Sequence, residues 1–249
     1  MRTKSTPKRL DALVVERGLA DSLPKAQAMI LAGEVSVDGT RADKAGSRFP
    51  QEARIEVTSR AGKYVSRGGL KLEGALQDFA IDPANRICLD IGSSTGGFTD
   101  CLLQHGAARV YAVDVNVDQL AWKLRQDPRV IRVSRNARSL EANDITEPID
   151  LIAIDVSFIS VRKILPSAAS VANPGADLLI LIKPQFELPR EDIGAGGIVT
   201  DTALHQKAVT AVREAAAKLA LEILGVRPSH LPGAEGNQEY FMHARKPLR

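Results

Sequence analysis

A short, mostly apolar run that opens onto three glycines constrains this chain more than any other feature. Ile87-Cys88-Leu89-Asp90-Ile91 reads as a buried strand, Gly92-Ser93-Ser94-Thr95-Gly96-Gly97-Phe98 as a turn, and Thr99–Gln104 as a short helix. In open α/β sheets a ligand sits beyond the carboxyl ends of the strands, where bare backbone can approach it closely. The same alternation continues downstream. Strands are expected at Val110–Val115, Val130–Val133, Asp150–Val156, Leu178–Ile182, Leu221–Val226 and Glu239–Ala244. Helices are expected from Leu70, at Val117–Leu124, at Val161–Val171, and at Thr202–Ala217 behind Asp201 as cap. Strands alternating with helices over some 180 residues imply an α/β domain with a mostly parallel, doubly wound sheet.

The front of the chain reads differently. Residues 1–8 are polar and basic, and disorder is expected there. A helix over Arg9–Arg17 carries Leu10, Leu13 and Val14 on one face, with Gly18 at its end. A second helix, Lys25–Ala32, follows Asp21-Ser22 and Pro24, with Ala28, Ile30 and Leu31 expected inward and Gly33 stopping it. Val35–Thr40 alternates and contains Asp38-Gly39, a hairpin signal, and Ile55–Val57 returns as a strand. The domain boundaries expected are 1–60 for this small α+β module, 61–69 for a linker, and 70–249 for the α/β domain.

Charge separates the two parts. Residues 1–70 hold 13 Lys/Arg against 8 Asp/Glu, and the remainder 20 against 22. A basic front end on a slightly acidic body points to an anionic partner such as nucleic acid. Lys8, Arg9, Arg17, Lys25, Arg41, Lys44 and Arg48 are the candidates to track phosphates, joined by Lys63 and Arg67 in the linker. Residues 1–48 contain no aromatic side chain, so folded-RNA shape or backbone contact is favoured there over base stacking. Cys88 and Cys101 lie in apolar stretches, which fits a reducing, cytoplasmic setting better than a disulfide scaffold. No apolar run approaches the roughly 20 residues of a membrane span. The four histidines have no metal-ligand spacing, so no metal is assigned.

The glycine spacing is neither the dinucleotide fingerprint nor a P-loop. Asp90-x-Gly92-x-x-x-Gly96 instead resembles the turn of Rossmann-like methyltransferases that use S-adenosylmethionine, a ligand with no pyrophosphate to neutralise and a cationic methionine end that an acid can approach. The expected cofactor residues are Asp90, Gly92, Ser93, Ser94, Gly96, Gly97 and Phe98, with Asp114, Val115 and Asn136 beyond them. Asp114 ends the next strand, 22 residues after Gly92, where a carboxylate can accept from both ribose hydroxyls. Asp155 and Lys183 each follow a buried strand, and Pro184 restricts the lysine backbone to extended geometry.

Five segments carry a fuller resemblance: Tyr64–Leu72, Asp90–Asp100, Ile154–Ser160, Ile182–Glu187 and Gly236–Glu239. Together they resemble the TlyA (haemolysin A) family, itself similar to FtsJ ribose 2'-O-methyltransferases fused behind an RNA-binding S4 domain. Arg9-Leu10-Asp11, Ala26, Ile30, Gly33, Val35, Val37 and Asp38-Gly39 match the S4 pattern. The resemblance implies a catalytic tetrad of Lys71, Asp155, Lys183 and Glu239, and methylation of a cytidine ribose in 16S and/or 23S rRNA. It also implies rRNA or ribosomal subunits as partner, without stable membrane association, and leaves the oligomeric state open. In such a reaction Lys183 is expected to take the hydroxyl proton, Lys71 to assist it and orient the hydroxyl, Asp155 to hold Lys183, and Glu239 to anchor Lys71. Three alternatives predict other behaviour. A membrane-active haemolysin needs a strongly amphipathic basic or spanning helix, which Thr202–Ala217 does not offer; a Rossmann oxidoreductase would bind NAD(H); a non-catalytic RNA-binding protein would not need the four charged residues.

Overall fold

The computed structural model describes residues 7–20, 22–31, 35–57, 63–233 and 235–248, in two compact units, Met1–Gly62 and Lys63–Arg249. In the first unit β1 (Lys8–Arg9) leads into α1 (Leu10–Glu16), and the chain then turns through Gly18 at φ 68°. After α2 (Leu23–Leu31), β2 (Val35–Val37) and β3 (Thr40–Arg41) form the expected hairpin, with Val37 opposite Thr40. Asp38 and Gly39 both take positive φ, as a two-residue turn matched to strand twist requires. β4 (Arg48–Phe49) pairs antiparallel with β1, and β5 (Ile55–Val57) with β2. Leu10, Leu13, Val14, Ala26, Ile30, Val35 and Val37 make the core.

Two expectations about this unit need correction. Lys8 belongs to a strand rather than to a disordered lead, while residues 1–6 lie outside the described residues. In α2 the inward face is Ala26 and Ile30, one helical turn apart; Ala28 is exposed and Leu31 is 71% exposed. Leu31 follows Ile30 by about 100° of rotation, so the two cannot share one inward stripe. Asp21 and the expected stop at Ala32-Gly33 fall outside the described residues.

The second unit begins with α3 (Arg67–Asp78), three residues earlier than the sequence predicts. Then follow β6 (Ile87–Ile91), α4 (Gly97–Gln104), β7 (Arg109–Asp114), α5 (Trp122–Arg125), β8 (Val130–Ser134), β9 (Ile149–Ile154), α6 (Leu165–Val171) and β10 (Ala172–Ile182). The remaining elements are α7 (Pro184–Glu187), α8 (Thr202–Lys218), β11 (Glu222–Pro228) and β12 (Tyr240–Arg245). One seven-stranded sheet runs β11-β12-β10-β9-β6-β7-β8. β6 to β10 are parallel, and β12 runs antiparallel between β10 and β11. Alternation sends Leu89, Ile91, Ile152, Ile154, Leu178 and Ile180 to the face covered by α6 and α8. Cys88, Val110, Ala112, Leu151, Ala153 and Leu179 face the layer of α3 and α4.

Two expected helices are interrupted. Val117–Leu124 splits into a 3₁₀ turn (Val117–Gln119) and α5, because Ala121 donates its N–H to Thr95 O while Leu120 and Leu124 press on Gly96. Val161–Val171 splits likewise into a 3₁₀ turn (Val161–Lys163) and α6, whose second residue is Pro166. The strand order reverses between β6 and β9, so their carboxyl ends diverge and leave a crevice over the sheet.

Candidate active site

Two cavities open at that crevice and share Gly92, Ser94 and Asp155. The first, about 170 Å³, lies between the glycine turn and the start of α3, with Ser66, Arg67, Lys71, Ser93 and Phe98 on its walls. The second, about 390 Å³, runs over β7 and β9, lined by Asp114, Val115, Arg135, Asn136, Phe158 and Ile164 among others.

The glycines do more than bare the backbone to a ligand. Gly92 and Gly96 have φ of 87° and 96°, which side chains rarely tolerate. A Cβ at Gly92 would strike the carbonyl of Asp155, closing the switch point; one at Gly96 would strike Leu124; one at Gly97 would strike Ser66 Oγ. Close packing of α3 and α5 on the turn therefore explains Gly96 and Gly97. Val65 N–H donates to Asp100 Oδ2 at 2.8 Å and seats the segment before α3 on α4.

Four charged residues from distant segments form two pairs. Lys71 Nζ meets Glu239 Oε2 at 2.5 Å, both side chains nearly buried. Lys183 Nζ meets Asp155 Oδ1 at 2.5 Å and Ser157 Oγ at 2.8 Å. Lys71 and Asp155 line the first cavity, and Glu239 and Lys183 stand behind them as their partners. Asn237 holds the loop before β12, accepting Val199 N–H through Oδ1 and donating to Gly197 O through Nδ2.

Asp90 is fully buried and accepts two bonds from Thr99, from its backbone N–H at 2.9 Å and its hydroxyl at 2.6 Å. Burial, only partly offset by Thr99, pushes its carboxyl up to about 7. Its Oδ1 and the Ser93 hydroxyl have no hydrogen-bond partner among the described residues. Asp114 accepts from Ser94 N–H and Asn116 N–H, and Asn136 Oδ1 accepts from Arg138 N–H. Val115 is 70% exposed at the cleft rim. Asp90 lies beneath the turn and lines neither cavity, whereas the bare Ser93 hydroxyl faces the first and the Asp114 carboxylate, one strand over, the second; polar groups so placed fit the ends of S-adenosylmethionine.

The cations expected to meet RNA are divided. Lys8 pairs with Glu16, and Arg9 with the buried Asp11, whose carboxyl is held down at about 2 chiefly by that arginine. Arg17 donates to Ala53 O and Gln51 O, so its guanidinium braces its own unit. Arg48 donates to Pro7 O, Lys63 pairs with Glu73, and Arg67 donates to Pro232 O while lining the first cavity. Lys25 and Lys44 are exposed with no ion pair among the described residues, and the Arg41 side chain lies outside them. Sequence reasoning passed over Ser157, Thr99 and Arg135. The position of Ser157, two residues past Asp155, is the only signal that could have found it.

No helix among the described residues is long and apolar enough to cross a membrane, and no metal-binding cluster is present among them. The FtsJ-like methyltransferase model matches residues 64–246, and the S4 domain model residues 8–55. The chain is 46% identical to the 16S/23S rRNA (cytidine-2'-O)-methyltransferase TlyA of Mycobacterium tuberculosis, over 95% of this chain and 89% of that one. A solved structure of a protein described as a hemolysin, from Streptococcus thermophilus, superposes with a TM-score of 0.75 at 41% identity, covering 97% of this chain and 89% of that one. The S-adenosylmethionine dependent methyltransferase from Mesorhizobium loti has the same fold at 16% identity and a TM-score of 0.53, covering 71% of this chain and 98% of that one.

Proposed function

The chain belongs to the FtsJ-like methyltransferase family and carries an S4 domain ahead of that region, and from this premise we propose that it methylates the ribose 2'-hydroxyl of a cytidine in 16S and/or 23S rRNA, using S-adenosylmethionine. One observation carries the reading: two lysine–carboxylate pairs, Lys71–Glu239 and Lys183–Asp155, gathered at the switch-point crevice beside the glycine turn. Dinucleotide chemistry would have no use for that pairing, and a passive RNA-binding surface would not bury it.

Bound S-adenosylmethionine would supply a methyl carbon on a positively charged sulfur, which takes the electron pair as the C–S bond breaks. Asp90, Ser93 and the turn would hold its methionine end, and Asp114 its ribose. The chain's own task is then to place a weak nucleophile in line and remove its proton. A neutral lysine has two N–H donors and one lone pair. Ser157 accepts one N–H of Lys183 and Asp155 Oδ1 sits against the same nitrogen, so the lone pair of a neutral Lys183 would be left for the hydroxyl proton. Lys71, fixed by Glu239, donates to the same hydroxyl oxygen and orients it. Phosphates of the surrounding RNA would engage the exposed cations of the S4 unit, Lys25 and Lys44 foremost.

The test is transfer of tritiated methyl groups to ribosomal subunits that lack the modification, followed by mapping of the labelled nucleotide. Label at a cytidine 2'-oxygen, lost in Lys183→Ala and Lys71→Ala, is the expected result. Near-normal turnover in either variant removes that residue from the mechanism, and dye release from liposomes without S-adenosylmethionine would favour a lytic protein instead.

A further inference from the structure

The catalytic unit is not uniformly acidic. Six of the twenty Lys/Arg in residues 71–249 fall within residues 123–138, where Asp127 is the only acid. This stretch forms α5, the edge strand β8 and the turn that follows it. Val130 packs with Leu120 and Leu124 in one layer of the core, so strand alternation places Arg132 on that same face of the sheet, beside α5. Arg135 and Asn136, directly after β8, line the larger cavity.

On α5 stands Trp122, 69% exposed and the only tryptophan in the chain. Packing does not require it there, because Leu120 and Leu124 supply the burial that fixes this segment against Gly96. Arg125 on the same helix is exposed, and its guanidinium has no hydrogen bond or ion pair among the described residues. Arg132 has only a loose partner, Asp118 at 3.6 Å, itself 80% exposed. An open indole with one guanidinium on its own helix and another on the neighbouring strand is a combination suited to an unstacked base and its phosphates, since every base offers a ring face and every phosphate a charge.

We propose that α5 and β8 form a second RNA-contacting surface, on the catalytic unit, in which Trp122 stacks on an unpaired base while Arg125 and Arg132 contact the flanking phosphates. The proposal rests on RNA being the substrate. The surface adjoins the cleft through Arg135, so it would grip the strand next to the reacting nucleotide. The front unit, whose one aromatic residue Phe49 packs against its own core, would then supply shape recognition, and the catalytic unit the stacking.

The lone tryptophan makes the test direct. Full-length protein saturated with S-adenosylhomocysteine is titrated with deproteinised rRNA from subunits lacking the modification, following tryptophan emission and, in parallel, filter binding. Emission should be quenched with the midpoint of binding. Trp122→Ala should weaken RNA binding about tenfold, with Trp122→Phe restoring most of it. Arg125→Ala with Arg132→Ala should lower the log–log salt slope by about 0.7–0.9 per lost contact. Donor affinity and melting temperature should stay at wild-type values in all of these. Emission that is unchanged at RNA saturation, or variants that bind RNA within twofold of wild type, overturns the proposal while leaving the methyltransferase reading intact. Loss of binding to assembled subunits but not to bare RNA would assign the surface to a protein partner and also overturn it. A wild-type protein that neither binds nor methylates RNA would sink both.

Discussion

Asp177 and Asp90 are buried carboxylates in one sheet, on the two strands that flank β9, and they are treated in opposite ways. Asp177, near the amino ends of the parallel strands, accepts from His243 Nε2, Arg86 Nη1 and Arg245 Nε at 2.8 to 3.0 Å. Burial pushes its carboxyl up, but those three donors outweigh it and hold it well below the usual range. Asp90, next to the switch-point turn, has only Thr99 and keeps one oxygen bare. Asp177 is well supplied with donors and ties β10 to β12 and to the residue before β6. Asp90 is left short of partners, so burial favours its neutral form and ionising it costs stability.

The sharpest way to break this comparison is to exchange the kinds of damage. Lys183→Ala should lower methyl transfer by about 10²–10⁴-fold, as loss of a general base does, with a smaller loss of melting temperature than Asp177→Ala, because the Asp155 side chain keeps 23% exposure although its Oδ1 is buried. A large drop in melting temperature with turnover preserved would erase the distinction. Asp177→Ala should do the reverse. It strands three donors and should cost about 3–5 kcal/mol, roughly ten degrees of melting temperature, with methyl transfer intact at low temperature. Calorimetry and a transfer assay on the same samples decide between them.

The pH dependence sharpens the contrast further. The Asp90 carboxyl rises from 3.8 to about 7 on folding, so its contribution to stability is present below about pH 4 and is lost as the pH climbs toward 7. The Asp177 carboxyl falls on folding, so its contribution is present above about pH 4 and is lost in acid. Subtracting the melting profile of Asp90→Asn from wild type should give a declining curve across pH 4 to 7, and Asp177→Asn a curve that collapses only below pH 4. Two curves of the same sign would refute the assignment. Asp90→Asn should also weaken donor binding about tenfold or more, measured by calorimetry. The smallest effect belongs to the front unit: Lys25→Ala and Lys44→Ala should each lower the salt slope of RNA binding by about 0.7–0.9 and leave the rate at saturating RNA unchanged.

Local signals were legible in the chain, and distant ones were not. The hairpin at Asp38-Gly39 and the strand–glycine–helix run at 87–104 depend on neighbouring residues, so spacing alone predicts them. The break at Leu120-Ala121 is invisible to periodicity because it is imposed by Thr95 and Gly96, more than twenty residues earlier. Lys71 reads in isolation as a surface helix residue. Only the family resemblance singles it out, since its partner Glu239 is 168 residues away. Charge counting likewise treats Arg9 and Arg17 as free for RNA, whereas one is held by Asp11 and the other by backbone carbonyls. It also averages away the basic stretch at 123–138 inside an acidic unit.

β12 enters the sheet between β10 and β11, and Glu239 immediately precedes it. During synthesis, at about 5–20 residues per second, everything through β11 can emerge before the anchor of Lys71 exists. The pair that holds Lys71 therefore closes only when β12 threads into its slot, and any nonsense codon upstream of Glu239 yields a product whose turn and strands are encoded but whose Lys71 has lost the carboxylate that holds it.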